Sequence, residues 1–156
     1  MSLDIPSIQK IDGSGFRIAL VASRYNEALV DSLVHHACAT LEASGAAPPL
    51  VERVPGAAEL PFAAATLAKH GSFDAIICLG VVIAGDTNHH EIIADSTATA
   101  LLDLSIAKKV PVINGILVVR NQAQAKARAG DEINRGKEFA QAALEMAQFT
   151  KKWRKK

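Results

Sequence analysis

An acid, a hydroxyl and two histidines follow an apolar run in Gly80-Val81-Val82-Ile83-Ala84-Gly85-Asp86-Thr87-Asn88-His89-His90. The pattern reads as a strand that ends in a glycine-hinged turn and then opens a helix. The N–H groups at a helix start lack intrahelical partners and carry partial positive charge, so they receive a phosphate or another anion. A histidine on that turn adds a group that carries a proton near neutral pH. Anion binding and proton transfer at one point suit chemistry on a small phosphorylated molecule. A metal is not expected. Asp86, His89, His90 and Glu91 lie too close in sequence to converge on one tetrahedral centre, and no cysteine or distant histidine completes a ligand set.

The elements that must hold this turn alternate between strand and helix patterns. Phe16 to Ser23 is an apolar run rich in β-formers. Asn26 is a candidate N-cap for a helix in which Leu29, Leu33, Ala37 and Leu41 recur at i, i+4 and which Gly45 stops. Leu50 to Val54 is a short strand ending at Pro55-Gly56, and Ala58 to Lys69 a second helix. Asp74 to Ile83 is the central strand. Asn88 to about Lys108 is a long helix with Ile93, Leu101, Leu102 and Leu104 on its apolar side. Val110 to Val119 is the last strand. Asn121 to Ala129 and Glu132 to about Lys151 are two further helices. Strands divided by helices imply parallel crossovers and a three-layer α/β sandwich, with a central parallel sheet flanked by helices. Ligands of such folds sit beyond the carboxyl ends of the strands. There the chain places Arg24-Tyr25-Asn26, Pro55 to Glu59, and Gly85 to His89.

Composition bounds the class. A chain of 156 residues, with 49% hydrophobic and 21% charged residues, suits one globular domain with a proper core. The expected layout is a single domain over 1–156, with an N-terminal arm over 1–14 and a basic tail over 151–156. A net charge of +1 gives no global drive toward nucleic acid or an acidic membrane. The start has no basic region followed by an apolar one, and the longest apolar run, Ala75 to Ala84, is too short to span a bilayer. Cys38 and Cys78 lack any spacing logic and read as buried thiols in a reducing, cytoplasmic compartment.

Five blocks in register resemble the lumazine synthase family of riboflavin biosynthesis. They are Ala22 to Asn26, Val54-Pro55-Gly56-Ala57-Ala58-Glu59-Leu60-Pro61, Leu79 to His89, Ala127-Arg128-Ala129-Gly130, and Asn134-Arg135-Gly136-Lys137-Glu138 through Ala147. The resemblance implies a flavodoxin-like fold and a homopentamer whose sites are shared between neighbouring subunits. It also implies condensation of an aminopyrimidine bearing a ribityl chain with 3,4-dihydroxy-2-butanone 4-phosphate, without any cofactor. The amine attacks the ketone to give an imine, proton abstraction expels phosphate, and the ribitylamino nitrogen closes the second ring. Each step moves a proton, so one well-placed histidine serves several of them.

The roles implied by the resemblance can be set beside plainer readings. Tyr25 stacks on the pyrimidine; its plainer reading is a surface residue at a strand end. Asn26 lies at the same wall and is first of all an N-cap. Glu59 accepts hydrogen bonds from ribityl hydroxyls; alternatively it only complements a helix dipole. Ala57, Ala58, Val82 and Ile83 line the pyrimidine and ribityl wall through their backbones. His89 matches the proton-transfer histidine, while His90 stands where the family often has an aromatic. Asp86 and Thr87 form the phosphate-contact turn, where the Asp86 N–H is the contact and its carboxylate caps the helix. Arg128 clamps the phosphate with two parallel donors; otherwise it is a solvated cation. Arg135 adds charge nearby. Asn114 replaces a frequent Phe and meets the pyrimidine across a subunit boundary, and Asn114, Arg128 and Arg135 come from the neighbouring subunit.

His35, His36 and His70 read as solvated. The basic end from Lys151 to Lys156 reads as a helix terminus stabilised by its cations rather than a nucleic-acid or membrane patch, with Trp153 docked on a neighbouring helix or subunit. The loop Gly130-Asp131-Glu132-Ile133-Asn134 is shorter and more acidic than in shell-forming members, which favours an isolated pentamer or a pair of them. The departures at Ala58, His90 and Asn114 leave an alternative, a lumazine- or flavin-binding relative with weak or no activity.

Overall fold

The computed structural model describes residues 9–154; residues 1–8 of the expected arm and Lys155 and Lys156 of the expected tail lie outside them. The elements in chain order are β1 (Ile18–Ser23), α1 (Glu27–Ala43), β2 (Leu50–Val54), α2 (Leu60–His70), β3 (Ala75–Ile83), α3 (His89–Lys108), β4 (Val112–Val119), α4 (Gln122–Ala129) and α5 (Arg135–Arg154). A short 3-10 turn, Ala57–Glu59, leads into α2. The strands form one parallel sheet in the order β2-β1-β3-β4. The chain therefore winds outward from β1 in both directions, and the order reverses between β1 and β3. That reversal leaves a crevice at the carboxyl ends of the two central strands, the general ligand position of doubly wound sheets.

Side chains alternate between the faces of the sheet, as the pleat requires. Ile18, Leu20 and Ala22 of β1 and Ala75, Ile77, Leu79 and Val81 of β3 join one core with Leu33, Ala37 and Leu41 of α1 and Ala140, Ala143, Leu144 and Ala147 of α5. Ala19 and Val21 of β1 and Ile76 and Cys78 of β3 join the other, with Leu60 and Ala64 of α2 and Leu101 of α3. This is the expected three-layer sandwich. Each large aliphatic side chain buried this way stabilises the fold by roughly 1.5–3 kcal/mol relative to exposure. The first face is packed backbone to backbone. A Cβ on Gly136 would lie 2.6 Å from the Leu33 carbonyl oxygen and 2.8 Å from His36 Cβ, so only glycine lets α5 approach α1 this closely. Both cysteines are free; Cys78 is buried and its thiol is pushed up to about 12 by desolvation, while half-buried Cys38 is raised for the same reason. Among the described residues no helix is long and apolar enough to cross a membrane.

Several expectations are corrected. The Asn26 side chain does not cap α1. The residue takes a left-handed conformation (φ 56°), and its backbone carbonyl, not its side chain, accepts from Leu29 and Val30. Leu102 does not share the apolar side of α3: one residue turns a helix by about 100°, so with Leu101 buried Leu102 faces outward, and Thr97 takes the inner position instead. The last strand begins at Val112, two residues later than expected, because the Val110 carbonyl accepts from Ser105 Oγ and Pro111 has no N–H for a ladder. The last helix begins at Arg135 rather than Glu132, because Asn134 has φ 55° and cannot lie inside an α-helix. His36 is not solvated; its side chain is 15% exposed and wedged between α1 and the α4–α5 turn. Lys151 and Arg154 of the basic end are engaged, the first over the Phe16 ring and the second donating to the Lys109 carbonyl. One further contact, which bears on none of these corrections, is that of the Trp153 ring with Phe149 one turn back.

Candidate active site

Backbone hydrogen bonds gather three loops at the carboxyl edge of the sheet. The Arg24 N–H donates to the Val54 carbonyl at 2.9 Å, joining the β1 and β2 ends. Asn26 Nδ2 donates to the Val81 carbonyl at 2.8 Å, joining the β1 end to β3. The Ala84 N–H donates to the Val119 carbonyl at 2.8 Å, which ties the start of the His89 turn to β4. The left-handed conformation of Asn26 is what turns its amide inward to reach β3. Val82 and Ile83 are the last two residues of that strand and are half-buried at its mouth.

Tyr25 stands at this edge with 73% of its surface exposed, far more than a core aromatic. Its ring rests against Gly56, where a Cβ would lie 3.3 Å from Tyr25 Cδ2. The Gly56 N–H donates to Glu59 Oε2 at 2.8 Å. Glycine at 56 therefore lets an aromatic face and a carboxylate meet over one peptide. One carboxylate oxygen is committed to that N–H and the other is left for a ligand. Ala57 and Ala58 form the short turn between them, with Ala58 exposed. Arg24, Tyr25 and Pro55 line an open cleft of about 270 Å³. Larger clefts lie away from the edge, beside Ile11 and Gln141 and between Ser105 and Trp153.

The two histidines of the turn have different surroundings. His90 Nδ1 is 3.0 Å from the Thr87 carbonyl oxygen, so the ring folds back on its own turn and Nδ1 carries the proton. His89, the first residue of α3, is exposed and makes no hydrogen bond or ion pair among the described residues. Asp86 does not cap α3 with its carboxylate, which corrects that expectation: the N-cap is Asn88, and no side chain caps the helix start. Asp86 and Thr87 are exposed, and the Glu91 N–H donates to the Asn88 carbonyl, which leaves the N–H groups of His89 and His90 available to an anion.

Asn114, Arg128 and Arg135 are not gathered at this edge by hydrogen bonds. Asn114 pairs with Cys78, five residues before Val119, the last residue of β4. At about 3.3 Å per residue that is some 16 Å below the edge. Its side chain is exposed and accepts from the Ile116 N–H at 3.1 Å. Arg128 is half-buried on the last turn of α4, with Nη1 donating to the Gln124 carbonyl of its own helix. Arg135 opens α5 and pairs with Glu138; its Nε is buried with no hydrogen-bond partner among the described residues. Sequence reasoning passed over His36, Asn134, Gln124 and Glu138, which hold this second group. The signal for Asn134 was present, as Asn before a helical run is a capping residue. His36 carried none, because its partner is almost a hundred residues away.

Comparison with known proteins now bears on these arrangements. Residues 15–151 match the family model described as 6,7-dimethyl-8-ribityllumazine synthase. A protein of that name from Methylobacterium radiotolerans is 48% identical over 132 residues, covering 84% of this chain and 80% of the relative. A Kineococcus radiotolerans protein of the same name is 44% identical, covering 90% and 88% of the two chains. One from Xylella fastidiosa is 43% identical, covering 89% and 92%.

Proposed function

The chain belongs to the 6,7-dimethyl-8-ribityllumazine synthase family, and from that premise we propose how its residues carry the reaction. It is an enzyme of riboflavin biosynthesis. It condenses 5-amino-6-(D-ribitylamino)uracil with 3,4-dihydroxy-2-butanone 4-phosphate to 6,7-dimethyl-8-ribityllumazine, releasing phosphate and water. We infer a single domain over 1–156. The free thiols of Cys38 and Cys78 support a cytoplasmic setting.

In this reading Tyr25 stacks on the pyrimidine and fixes the ring plane. The backbones of Asn26, Val82 and Ile83 meet the pyrimidine edge. Glu59 accepts from ribityl hydroxyls with the oxygen that Gly56 leaves open, and Ala57 and Ala58 line the same wall. The phosphate lies on the N–H groups of Asp86 and Thr87, with Arg128 as a two-donor clamp and Arg135 as added charge. His89 is the proton carrier, because its ring is unengaged while that of His90 is held by its own turn. It takes up and returns protons as the imine forms, phosphate leaves and the ring closes. The substrate supplies the amine, so no catalytic lysine is needed.

The observation that supports the reading is that Tyr25 and Glu59, which meet over Gly56, and the 85–89 turn all follow carboxyl ends of strands around the β1/β3 switch point. Neighbouring subunits complete the site in a homopentamer, with Asn114, Arg128 and Arg135 contributed across the boundary. Two observations support this. Asn114 is about 16 Å from the edge of its own sheet, and Ile92, Leu102 and Ile106 leave an exposed apolar stripe on α3. The test is direct: purified protein with both substrates, followed by lumazine fluorescence against a protein-free control. Product well above the uncatalysed rate is expected. Background product from a folded oligomer that still binds lumazine would favour the alternative, a pocket-bearing relative without turnover, for which Ala58, Asn114 and His90 are the departures.

A further inference from the structure

The turn between α4 and α5 is held from outside by one side chain of α1. Asn134 Oδ1 accepts from the Lys137 N–H at 3.0 Å, so it caps α5. A backbone N–H only donates, and this fixes the amide: its oxygen faces α5 and its nitrogen faces away. That nitrogen lies 3.2 Å from His36 Nδ1. An amide N–H₂ also only donates, so Nδ1 must accept and be unprotonated. The ring proton is then on Nε2, which lies 3.5 Å from Asp131 Oδ1 in the same turn. One hydrogen bond, to Asn134, and one longer polar contact, to Asp131, thus connect His36 to both halves of one short loop.

Both arginines proposed for the phosphate flank that loop, Arg128 at the end of α4 and Arg135 at the start of α5. Arg135 is the residue after the cap, so rotation of Asn134 swings its side chain directly. The Ile133 N–H donates to the Ala127 carbonyl and the Asn134 N–H to the Gly130 carbonyl, each at 3.0 Å, which fastens the same loop to the end of α4 beside Arg128. The Ser32 hydroxyl donates to the Ala129 carbonyl at 2.8 Å, a second tie from α1. Gly136 brings α5 close against His36 Cβ.

We propose that His36 and Asn134 are positioning residues for phosphate recognition: their hydrogen bond sets the α4–α5 turn, and with it the aim of Arg128 and Arg135. The inference rests on the phosphate reading of those arginines. Neutral His36 holds the clamp. Protonation of Nδ1 sets two donors against each other and releases Asn134. The charged or titratable groups around His36 are Asp131 on the turn, His35 on α1 with its ring centroid at 5.5 Å, and Arg135, Lys137 and Glu138 flanking Gly136 on α5. Asp131 is 98% exposed, so its attraction for the imidazolium is screened and does not restore the lost bond.

The experiment measures kcat and both KM values against pH for the full chain and three variants. His36→Leu removes the acceptor. Asn134→Gly keeps the left-handed backbone but loses both side-chain bonds, at little cost as a cap. His36→Asn keeps an acceptor in place of Nδ1 and cannot titrate. The expected result for His36→Leu and Asn134→Gly is a rise of about tenfold in the KM of the phosphorylated substrate, with kcat and the pyrimidine KM within about twofold, as loss of one polar bond implies. His36→Asn should retain the parent KM near neutral pH. It should also lack whatever part of a KM rise Nδ1 protonation gives the parent as the pH falls. The substrate phosphate gains a proton on the same descent, but equally for both proteins, so their difference isolates His36. Equal phosphate KM values in all variants would overturn the clamp, as would parallel losses in kcat and both KM values that His36→Asn shares. Should His36→Leu fail to fold, Asn134→Gly and the pH comparison decide. Arg128→Ala separates the premise: an unchanged phosphate KM there refutes the phosphate reading itself, whereas a raised one with silent His36 and Asn134 variants refutes only the clamp.

Discussion

The carboxyl edge of the central strands and the α4–α5 turn both carry residues suited to the same reaction, but they are built differently. At the edge, main-chain hydrogen bonds from Arg24 and Ala84 and the Asn26 amide join adjacent strand ends. The groups proposed to face a ligand there, Tyr25 and His89, are exposed, and their side chains have no hydrogen-bond partner among the described residues. At the α4–α5 turn the order is reversed. Besides its own main-chain bonds to α4, the turn is tied by side chains from a distant helix, and both arginines are already engaged, Arg128 with its own helix and Arg135 with Glu138. An edge assembled by the sheet tolerates change in its exposed side chains. A turn assembled by side chains does not, because each substitution there also moves backbone.

His89→Ala offers the largest contrast. Loss of the proton carrier should lower kcat by about 10²-fold without abolishing condensation, since the amine and ketone still react slowly when held together. Single-turnover fluorescence measures this, and an unchanged kcat would move the role to His90. Arg128→Ala comes next. It should raise the KM for the phosphorylated substrate by roughly tenfold or more while sparing the pyrimidine; a change in the pyrimidine KM alone would refute the clamp.

Co-expression of those two variants tests whether the two regions act together across subunits. Random mixing around a ring rebuilds an intact site wherever His89 of one chain meets Arg128 of the next, so about a quarter of sites recover. Activity no higher than the mean of the separate variants would mean each chain supplies its whole site. The smallest effect is structural. Gly136→Ala forces a methyl group against the Leu33 carbonyl and His36, and overpacking of this kind costs about 1–3 kcal/mol. Denaturant unfolding reads the loss, and the phosphate KM should rise while the pyrimidine KM stays put. A rise in both would mean that α5 also supports the edge.

Much of the sheet was legible because strand periodicity is local. Ile18 to Ser23 and Ala75 to Ile83 are apolar on both faces and could only be central. The loops at their ends were then placed by the parallel topology alone. Helix limits were less legible. Glu132 and Ile133 fit a helical pattern, and only the left-handed backbone at Asn134 excludes them. The helical face of Leu102 was misread because a run of apolar residues does not say which of two neighbours points inward.

The sequence by itself determined the fold class, the edge at which the candidate loops gather, and the residue types brought there, because pleat, helix period and turn chemistry act over a few residues. Tertiary structure alone decided that the Asn26 side chain braces β3 while only its backbone caps α1, that His90 is held by its own turn while His89 is open, and that His36 reaches Asn134. Those outcomes depend on contacts between residues 55 to 98 positions apart or on the turn of a single ring. No local pattern encodes them, since a hydrogen bond is settled by where two chains of atoms finally lie.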